Sequence, residues 1–524
     1  MTVVNGKTFT AAPPQDEFPN SVFGAIIGSL NGFERLERLS KLEFLDLEYN
    51  RFNNKSIVSS IGHLSSLKSL NLAYTGLESV TNIQGLSSLQ NLVFLDLSLN
   101  NFSDSIISFL RIFPSLKSLN LAGNRLKSGI QGLSGLENLE FLDLSFNNFN
   151  KSIKPFLRIF PSLKSLNLAG NRLESGIQGL SKLSNLEFLD LSFNDIGNST
   201  LSSIGDLSSL KELHLDGCGL RGTFDIQKLD ALGNLKVLSL GGNRITKVVD
   251  SRDIKIIRNL SSLFLDDSNG DGRSSIQLEL LGAYPFLKIL SLKHNSFKAG
   301  IFAQGLCELK HLQKLDMSYN DLSGTLPLCL ANLTSLQLLD LSFNYFIGNI
   351  SLSPLGSLTS MHTLQLSSNL FRIPISLLPF FNHSKLKHLN CHENEIYADI
   401  DVPTLTPKFQ LRTLDLSGQG HGGVFPKFFY YQHKLEYVDM SNIKMKGEFP
   451  HWLIRNNTKL YTLHLPNCSL SGPLQLPIHS HVYFSDLDIS DNHFNGSIPT
   501  EIGVCFPSLN FLNLSGNGLT GSIP

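Results

Sequence analysis

The nine-residue pattern LxxLxLxxN recurs along this chain of 524 residues, and no other feature restricts its folding as much. Clear copies are LEFLDLEYN from Leu42, LVFLDLSLN from Leu92, LEFLDLSFN from Leu139 and again from Leu186, LQLLDLSFN from Leu336 and LNFLNLSGN from Leu509. With degenerate copies included there are twenty, whose third anchor falls at 47, 72, 97, 121, 144, 168, 191, 215, 240, 265, 292, 317, 341, 366, 391, 416, 440, 465, 489 and 514, in steps of 23 to 27 residues. Within each copy LxL alternates apolar and polar side chains with period two, the mark of a short strand with one buried face. Strands recurring in one direction at fixed spacing stack in parallel, leucines inward and intervening residues on an open concave surface. At about 4.8 Å per strand the array is about 90 Å long. The Asn that closes the pattern suits a buried turn, where its amide pairs backbone groups otherwise left without partners. Cys218 and Cys468 replace it in two copies. A globular chain of this length would split into several cores, whereas an array lengthens one core unit by unit. The expected organisation is an irregular segment over 1–40, partly a degenerate repeat, followed by the array over 41–524.

Charge selects no partner class. With 43 basic and 44 acidic side chains the formal charge is −1, which gives no footing for nucleic-acid binding or for attachment to an anionic membrane. Six cysteines without any CxxC spacing disfavour zinc ribbons and thioredoxin-type chemistry. The N-terminus, MTVVNGKTFTAAPPQDEFPN, lacks the basic start and apolar run of a secretory signal, and no run of about 20 apolar residues occurs anywhere. The expectation is a soluble protein or a fragment.

After the Asn, several copies continue as LSGTLP (322–327), FNGSIP (494–499) and LTGSIP (519–524), with KGEFP (446–450) a looser version. This LxGxIP tail resembles the plant-specific class of leucine-rich repeats, in which it forms a second short strand. Longer stretches, GLCELKHLQKLDMSYNDLSGTLPLCLANLTSLQLLDLSFNYFIGNIS (305–351), KFQLRTLDLSGQGHGGVFPKFFYYQHKLEYVDMSNIKMKGEFPHWLIRNNTKL (408–460) and LSGPLQLPIHSH (470–481), resemble the ectodomains of plant receptor-like proteins. The fold so implied is an α/β repeat, a right-handed leucine-rich-repeat solenoid with a parallel concave sheet and about 20 repeats. The function so implied is ligand recognition at the extracellular face of the plasma membrane, in defence or development. Its partners would be a peptide, glycan or protein ligand and a receptor kinase that passes the signal inward. Members of that family begin with a signal peptide and a cysteine-paired cap, so the chain is expected to be a truncated ectodomain whose membrane attachment lies in a segment it does not contain. Two alternatives stand beside this: a secreted inhibitor of microbial wall-degrading enzymes, for which twenty repeats are too many, and the ectodomain of a leucine-rich-repeat receptor kinase. Residues 110–126, LRIFPSLKSLNLAGNRL, recur unchanged at 157–173, a duplication of two repeats.

Catalysis has no foothold in the sequence. GxSxG, HExxH and the kinase glycine-rich, HRD and DFG elements are all lacking, so neither enzyme activity nor a cofactor is expected. The recurrent Asp96, Asp143, Asp190, Asp316, Asp340, Asp415 and Asp439 are the LDLS consensus, a polar ladder rather than catalytic carboxylates. DSNGDG (267–272) imitates the start of a calcium loop, but its twelfth position is Leu278 where a bidentate Glu is required, and it reads as a turn. SGQGHGG (417–423) follows a strand with no helix after it and reads as a flexible turn rather than a phosphate cradle. Cys307 and Cys329, 22 residues apart, fall side by side on neighbouring coils, where a disulfide is preferred over two buried thiols. Cys218, Cys391 and Cys468 read as packing residues, and Cys505 has no assignment. N-glycosylation is expected at the sequons of Asn54, Asn101, Asn150, Asn198, Asn259, Asn332, Asn349, Asn382, Asn456, Asn467 and Asn495, whereas that of Asn513 sits inside a strand motif.

The ladder breaks where His214, Ser239, Phe264 and Ser291 take the inter-leucine position, flanked by Glu212, Asp216, Asp266, Asp267, Lys293 and His294. An exposed Phe among charged groups has the composition of an interaction hot spot, against simple drift in degenerate repeats. The candidate ligand-binding residues are therefore Glu212, His214, Asp216, Phe264, Asp266, Asp267, Lys293 and His294. A second departure holds His388, Asn390, His392 and Glu393.

Overall fold

The structure is a computed structural model, and it describes residues 21–22 and 38–523, apart from 51–55, 129, 151–159, 175–179, 199–200, 230–231, 250–258, 269–276, 279–283, 299–300, 303–304 and 400–404. Most of DSNGDG, and Asn54, lie outside the described residues. The chain forms two compact units, Met1–Leu260 and Ser261–Pro524.

Every one of the twenty copies carries a three-residue strand, and neighbouring strands within each unit pair in parallel without slippage. In the first unit these run from Phe44–Asp46 to Val237–Ser239, and Ser21–Val22 pairs alongside Phe44–Asp46. The second unit holds eleven, from Ser262–Phe264 to Phe511–Asn513. Registry is one repeat per strand: Leu142 stands opposite Leu119 and Leu166, and Leu339 opposite Leu315 and Leu364. The anchors are sealed, with Leu144, Leu168, Leu292 and Leu341 fully buried. This is the parallel sheet of a leucine-rich-repeat solenoid.

What the chain does between strands follows from its residues. In the first unit the return passes through short helices such as Ser56–Gly62 and Ser105–Leu110, where Ile106, Ile107 and Leu110 turn one apolar face inward. Where the tail reads as Gly followed by an apolar residue and Pro, the backbone stays extended. LSGTLP and KGEFP contribute to Ser323–Gly324 and Ile443–Lys446, the end strands of a second, six-stranded parallel ladder, while FNGSIP and LTGSIP contribute to His493–Ser497 and Gly518–Thr520 in a separate three-stranded one. The six-stranded ladder also takes in Tyr345–Asn349, Leu370–Pro374, Glu395–Tyr397 and Gln419–Val424, whose sequences have lost the motif. SGQGHGG thus enters a strand as well as a turn. Gly420 is required there, because a Cβ at this position would lie 1.8 Å from the Ile396 carbonyl oxygen.

The buried Asn binds one coil to the next. Asn147 donates through Nδ2 to Leu144 O and Ser145 O in its own repeat (both 3.1 Å) and to Leu121 O in the preceding one (2.9 Å), while its Oδ1 accepts from Leu126 N (3.0 Å). Cys218 and Cys468 imitate half of this, their thiols donating to Leu191 O and Met440 O at 3.1 Å. Burial pushes the Cys468 thiol up to about 12, so it stays a protonated donor.

Candidate ligand-binding surface

The open face of the sheet is built from side chains that flank the buried leucines, and in the first unit it repeats every second strand. Phe94, Phe141 and Phe188 alternate with Ser118 and Ser165, while Asp96, Asp143 and Asp190 alternate with Asn120 and Asn167. Each carboxylate is internally engaged. Asp143 accepts at Oδ1 from the Ser145 amide and hydroxyl (2.8 and 2.7 Å) and at Oδ2 from Asn167 Nδ2 (3.1 Å). Burial raises the Asp96 and Asp143 pKa above the usual carboxylate range, opposed by those hydrogen bonds. These hydrogen bonds tie the carboxylates into the sheet.

At the outer end of each strand but Thr413–Asp415 one residue adopts a left-handed backbone. Glycine takes that place at Gly123, Gly170, Gly217 and Gly242, but Tyr49, Tyr74, Leu99, Phe146 and Phe193 take it elsewhere, with φ between 52° and 62°. A left-handed L-residue costs roughly 1–2 kcal/mol relative to a right-handed one. These side chains nevertheless stand open to solvent, Phe146 at 61% and Phe193 at 59% exposure. Phe146 and Phe193 lie across the next repeat's glycine: a Cβ on Gly170 would come within 2.5 Å of the Phe146 ring, and one on Gly217 within 2.9 Å of Phe193.

Of the eight candidate residues, Glu212, His214 and Asp216 belong to the first unit. His214 packs against the Phe188 ring (5.4 Å between centroids), with Nε2 4.0 Å from Glu212. Burial opposes its charge, but Glu212, Asp190 and Asp216 outweigh that and raise its pKa. Asp216 accepts from the Ser239 hydroxyl and the Gly241 amide, both at 2.6 Å, which makes it a brace between coils.

The other five lie in the second unit. Phe264 is half-buried, not exposed as its sequence setting implied, its strand pairing with Ile289–Ser291. Asp266 is a brace like Asp216, accepting from Ser291 Oγ (2.6 Å) and Lys293 N (2.9 Å). Asp267 and His294 occupy the left-handed position of successive coils, 3.4 Å apart and both exposed. His294 lies tilted against Tyr319 (4.3 Å), Tyr319 lies flat on Phe343 (4.1 Å), and Lys293 Nζ sits 5.4 Å from the Tyr319 centroid. The sheet thus gathers Asp267, Lys293 and His294 into one rim with Tyr319 and Phe343. Sequence reasoning missed the two aromatics because it scanned the inter-leucine position; the SYN and SFN endings of their strand motifs carried the signal. In the second departure His388 pairs with Thr413 Oγ1 (2.9 Å), His392 with Ser417 Oγ (2.6 Å), and Glu393 accepts from Ser368 Oγ (2.7 Å). Those residues face their own neighbours.

Comparison with known proteins agrees with this geometry. Residues 114–158 and 161–203 match the family described as Leucine Rich repeats (2 copies), residues 311–333, 484–505 and 508–524 that described as Leucine Rich Repeat, and residues 88–110 a further Leucine Rich repeat description. Cuscuta receptor 1 of Solanum lycopersicum is 34% identical over 235 residues, 45% of this chain and 21% of that protein. Receptor-like protein 1 of Arabidopsis thaliana is 33% identical over 305 residues, 57% of this chain and 28% of that protein. The chain carries leucine-rich repeats similar to those of plant receptor-like proteins. It spans well under a third of the length of these two relatives. Among solved structures, the plant peptide hormone receptor RGFR1 in complex with RGF2 has the same fold, with a TM-score of 0.53 at 24% identity, covering 88% of this chain and 80% of that one.

Two further features bear on the surface of the chain. Cys307 and Cys329 are joined, Cα to Cα 5.7 Å, in adjacent coils. Of the sequon asparagines, Asn150, Asn259, Asn332, Asn382 and Asn495 are exposed and Asn101, Asn198, Asn349, Asn456 and Asn467 half-buried. Asn198 is committed at both ends, donating to Arg221 O and accepting from Arg221 N.

Proposed function

We propose that this chain is the ligand-recognition region of a plant cell-surface receptor-like protein, exposed at the extracellular face of the plasma membrane and signalling through a partner receptor kinase. Recognition rather than catalysis is the reading because the ladder carboxylates are hydrogen-bonded into the sheet. The observation that carries it is the rim of the second unit. His294, Tyr319 and Phe343 lie together in the open at left-handed positions, with Lys293 and Asp267 beside them, and such clustered aromatics flanked by opposite charges are the composition of a binding hot spot. A peptide or protein with apolar and charged side chains suits it. The solved RGFR1 structure, a receptor of the same fold, holds a peptide hormone. N-glycosylation belongs to the same extracellular reading, at the exposed Asn150, Asn332, Asn382 and Asn495 ahead of Asn198, whose amide is already in use.

The test is capture of peptides and proteins from plant extracellular fluid on the immobilised chain, followed by His294→Ala and Tyr319→Ala variants. Loss of capture by roughly 30-fold in the variants is the expected result. Capture of nothing, or capture that both variants leave intact, refutes the reading.

A further inference from the structure

The two-strand period of the first unit sets a ruler along its open face. Leu99, Phe146 and Phe193 occupy the same left-handed position at intervals of 47 residues, with glycine at that position in the repeats between. The strands from Phe94–Asp96 to Phe188–Asp190 pair consecutively, so successive bulky side chains stand two strand spacings apart, about 9.6 Å. Beside each lies one carboxylate, Asp96, Asp143 or Asp190, at the same interval.

A ligand lying across these strands meets equivalent apolar stations at that interval. An extended β-chain brings side chains to one face every ~6.7 Å and an α-helix every ~5.4 Å, and neither is commensurate with the spacing. A polyproline II helix advances ~3.1 Å per residue and returns to the same face every third residue, ~9.3 Å on, within about 0.3 Å of the ruler. Proline rings pack well on exposed aromatic faces, and a polyproline helix arrives already ordered, which lowers the entropic cost of binding. Charge fixes the remaining property of the ligand. Across nine strands, from Phe44–Asp46 to Val237–Ser239, neither the strand residues nor the three that follow each strand include a Lys or Arg, while acidic residues recur, and Lys68, Lys117, Lys164 and Lys211, one residue before their strands, are paired with Glu43, Glu140 and Glu187.

We infer that the open face of the first unit binds a basic, proline-rich segment of a protein partner in the polyproline II conformation, three ligand residues to every two repeats. This rests on the recognition reading above and adds the ligand's conformation and register. The second unit cannot offer the same ruler, since His294, Tyr319 and Phe343 stand in consecutive repeats.

The probes are a synthetic peptide of repeating Pro-Pro-Lys and one of repeating Gly-Ser-Lys with the same length and charge, titrated against the full chain by calorimetry. The Pro-Pro-Lys peptide is expected to bind at least roughly tenfold more tightly, and the double variant Phe146→Gly, Phe193→Gly to remove that advantage. Glycine already serves this position at Gly123 and Gly170, so the variant keeps its fold, which circular dichroism verifies. Phe343→Gly in the second unit is expected to leave Pro-Pro-Lys binding unchanged. Equal affinity for the two peptides, no binding of either, or affinity untouched by the double variant overturns the inference. Recognition as such survives those outcomes if the captured extracellular ligand still binds through the second unit.

Discussion

Replacing Asn344 by Ala tests whether the buried amide ladder ties coil to coil. Asn344 Nδ2 donates to Met317 O (2.9 Å), Leu341 O (3.1 Å) and Ser342 O (3.1 Å), and its Oδ1 accepts from Leu322 N (3.0 Å). The carbonyls are not orphaned by the change. Met317 O keeps Asn320 Nδ2, Leu341 O keeps Asn369 Nδ2, and Ser342 O keeps the Tyr319 amide. Only the buried Leu322 N–H loses its partner, at about 1–3 kcal/mol, and the three weakened carbonyl bonds add about 0.5 kcal/mol each. The expected loss is therefore about 3 kcal/mol, concentrated in the coil of Leu322 because each unit of an array touches only its neighbours. Hydrogen exchange followed by mass spectrometry reads it, with peptides over 317–345 losing protection while those over 430–470 keep it. Asn344→Asp keeps the acceptor but sets a carboxylate against three carbonyls, so it should cost more at neutral pH and recover as acid protonates it. A loss below about 1 kcal/mol with Leu322 still protected would refute the ladder argument.

Three other expectations concern pH, backbone space and the disulfide. His464 Nδ1 lies 3.6 Å from Asp439 Oδ2, which raises the His464 pKa, while Asp439, despite a burial that alone would raise it, is held low by His464 and Ser441. The histidine's contribution is complete below its unfolded pKa of about 6.5 and fades as pH rises through the folded value; the aspartate's is complete above about 3.9 and fades as pH falls through its own. Stability from the pair is thus greatest in mild acid, and His464→Gln should flatten thermal-shift profiles between about pH 6 and 8. Gly420→Ala forces a Cβ to 1.8 Å from Ile396 O and should separate Glu395–Tyr397 from Gln419–Val424, costing more than about 2 kcal/mol; an unchanged urea midpoint would contradict this. Cys329→Ser opens a loop of 22 residues and should lower stability by about 2–4 kcal/mol under oxidising conditions and by nothing measurable in excess reductant.

The strands were legible because their signal is local and repeated. Each buried leucine pair imposes period two on three residues, and twenty copies average out individual drift. The second ladder was half legible: the LxGxIP tail marks Ser323–Gly324, but Leu370–Pro374 reaches the same backbone from LFRIP, where pairing to its neighbours rather than local composition decides. The site was legible only in part. Asp267, Lys293 and His294 announced themselves as charged departures from consensus. Tyr319 and Phe343 did not, since an aromatic in a SYN or SFN ending looks like any other apolar residue until its backbone is known to be left-handed and its ring exposed. Phe264 misled in the opposite sense, because an apolar residue among charges reads as exposed although it is half-buried. The 47-residue repetition was visible as duplication, while its meaning as a distance required the strand spacing.

Each repeat has positions with little freedom and one with much. Leucine anchors and ladder asparagines are set by the core, so substitution there is felt as instability. The left-handed residue touches the core least, and two opposing terms nearly cancel when it changes. Glycine removes the steric penalty of about 1–2 kcal/mol but loses more conformational entropy on folding, about 0.5–1 kcal/mol, together with the ring's contact over the next repeat. Phe146→Gly should therefore move the unfolding midpoint by less than the equivalent of about 1 kcal/mol, whereas removal of an ordinary buried Phe costs about 3–5 kcal/mol. At this position the chain is free to exchange glycine for an aromatic without consequence for the fold, and the choice is left to whatever the surface must bind. Large stability changes from such exchanges would mean that Phe146 and Phe193 are packing residues rather than apolar stations for a ligand on the first unit.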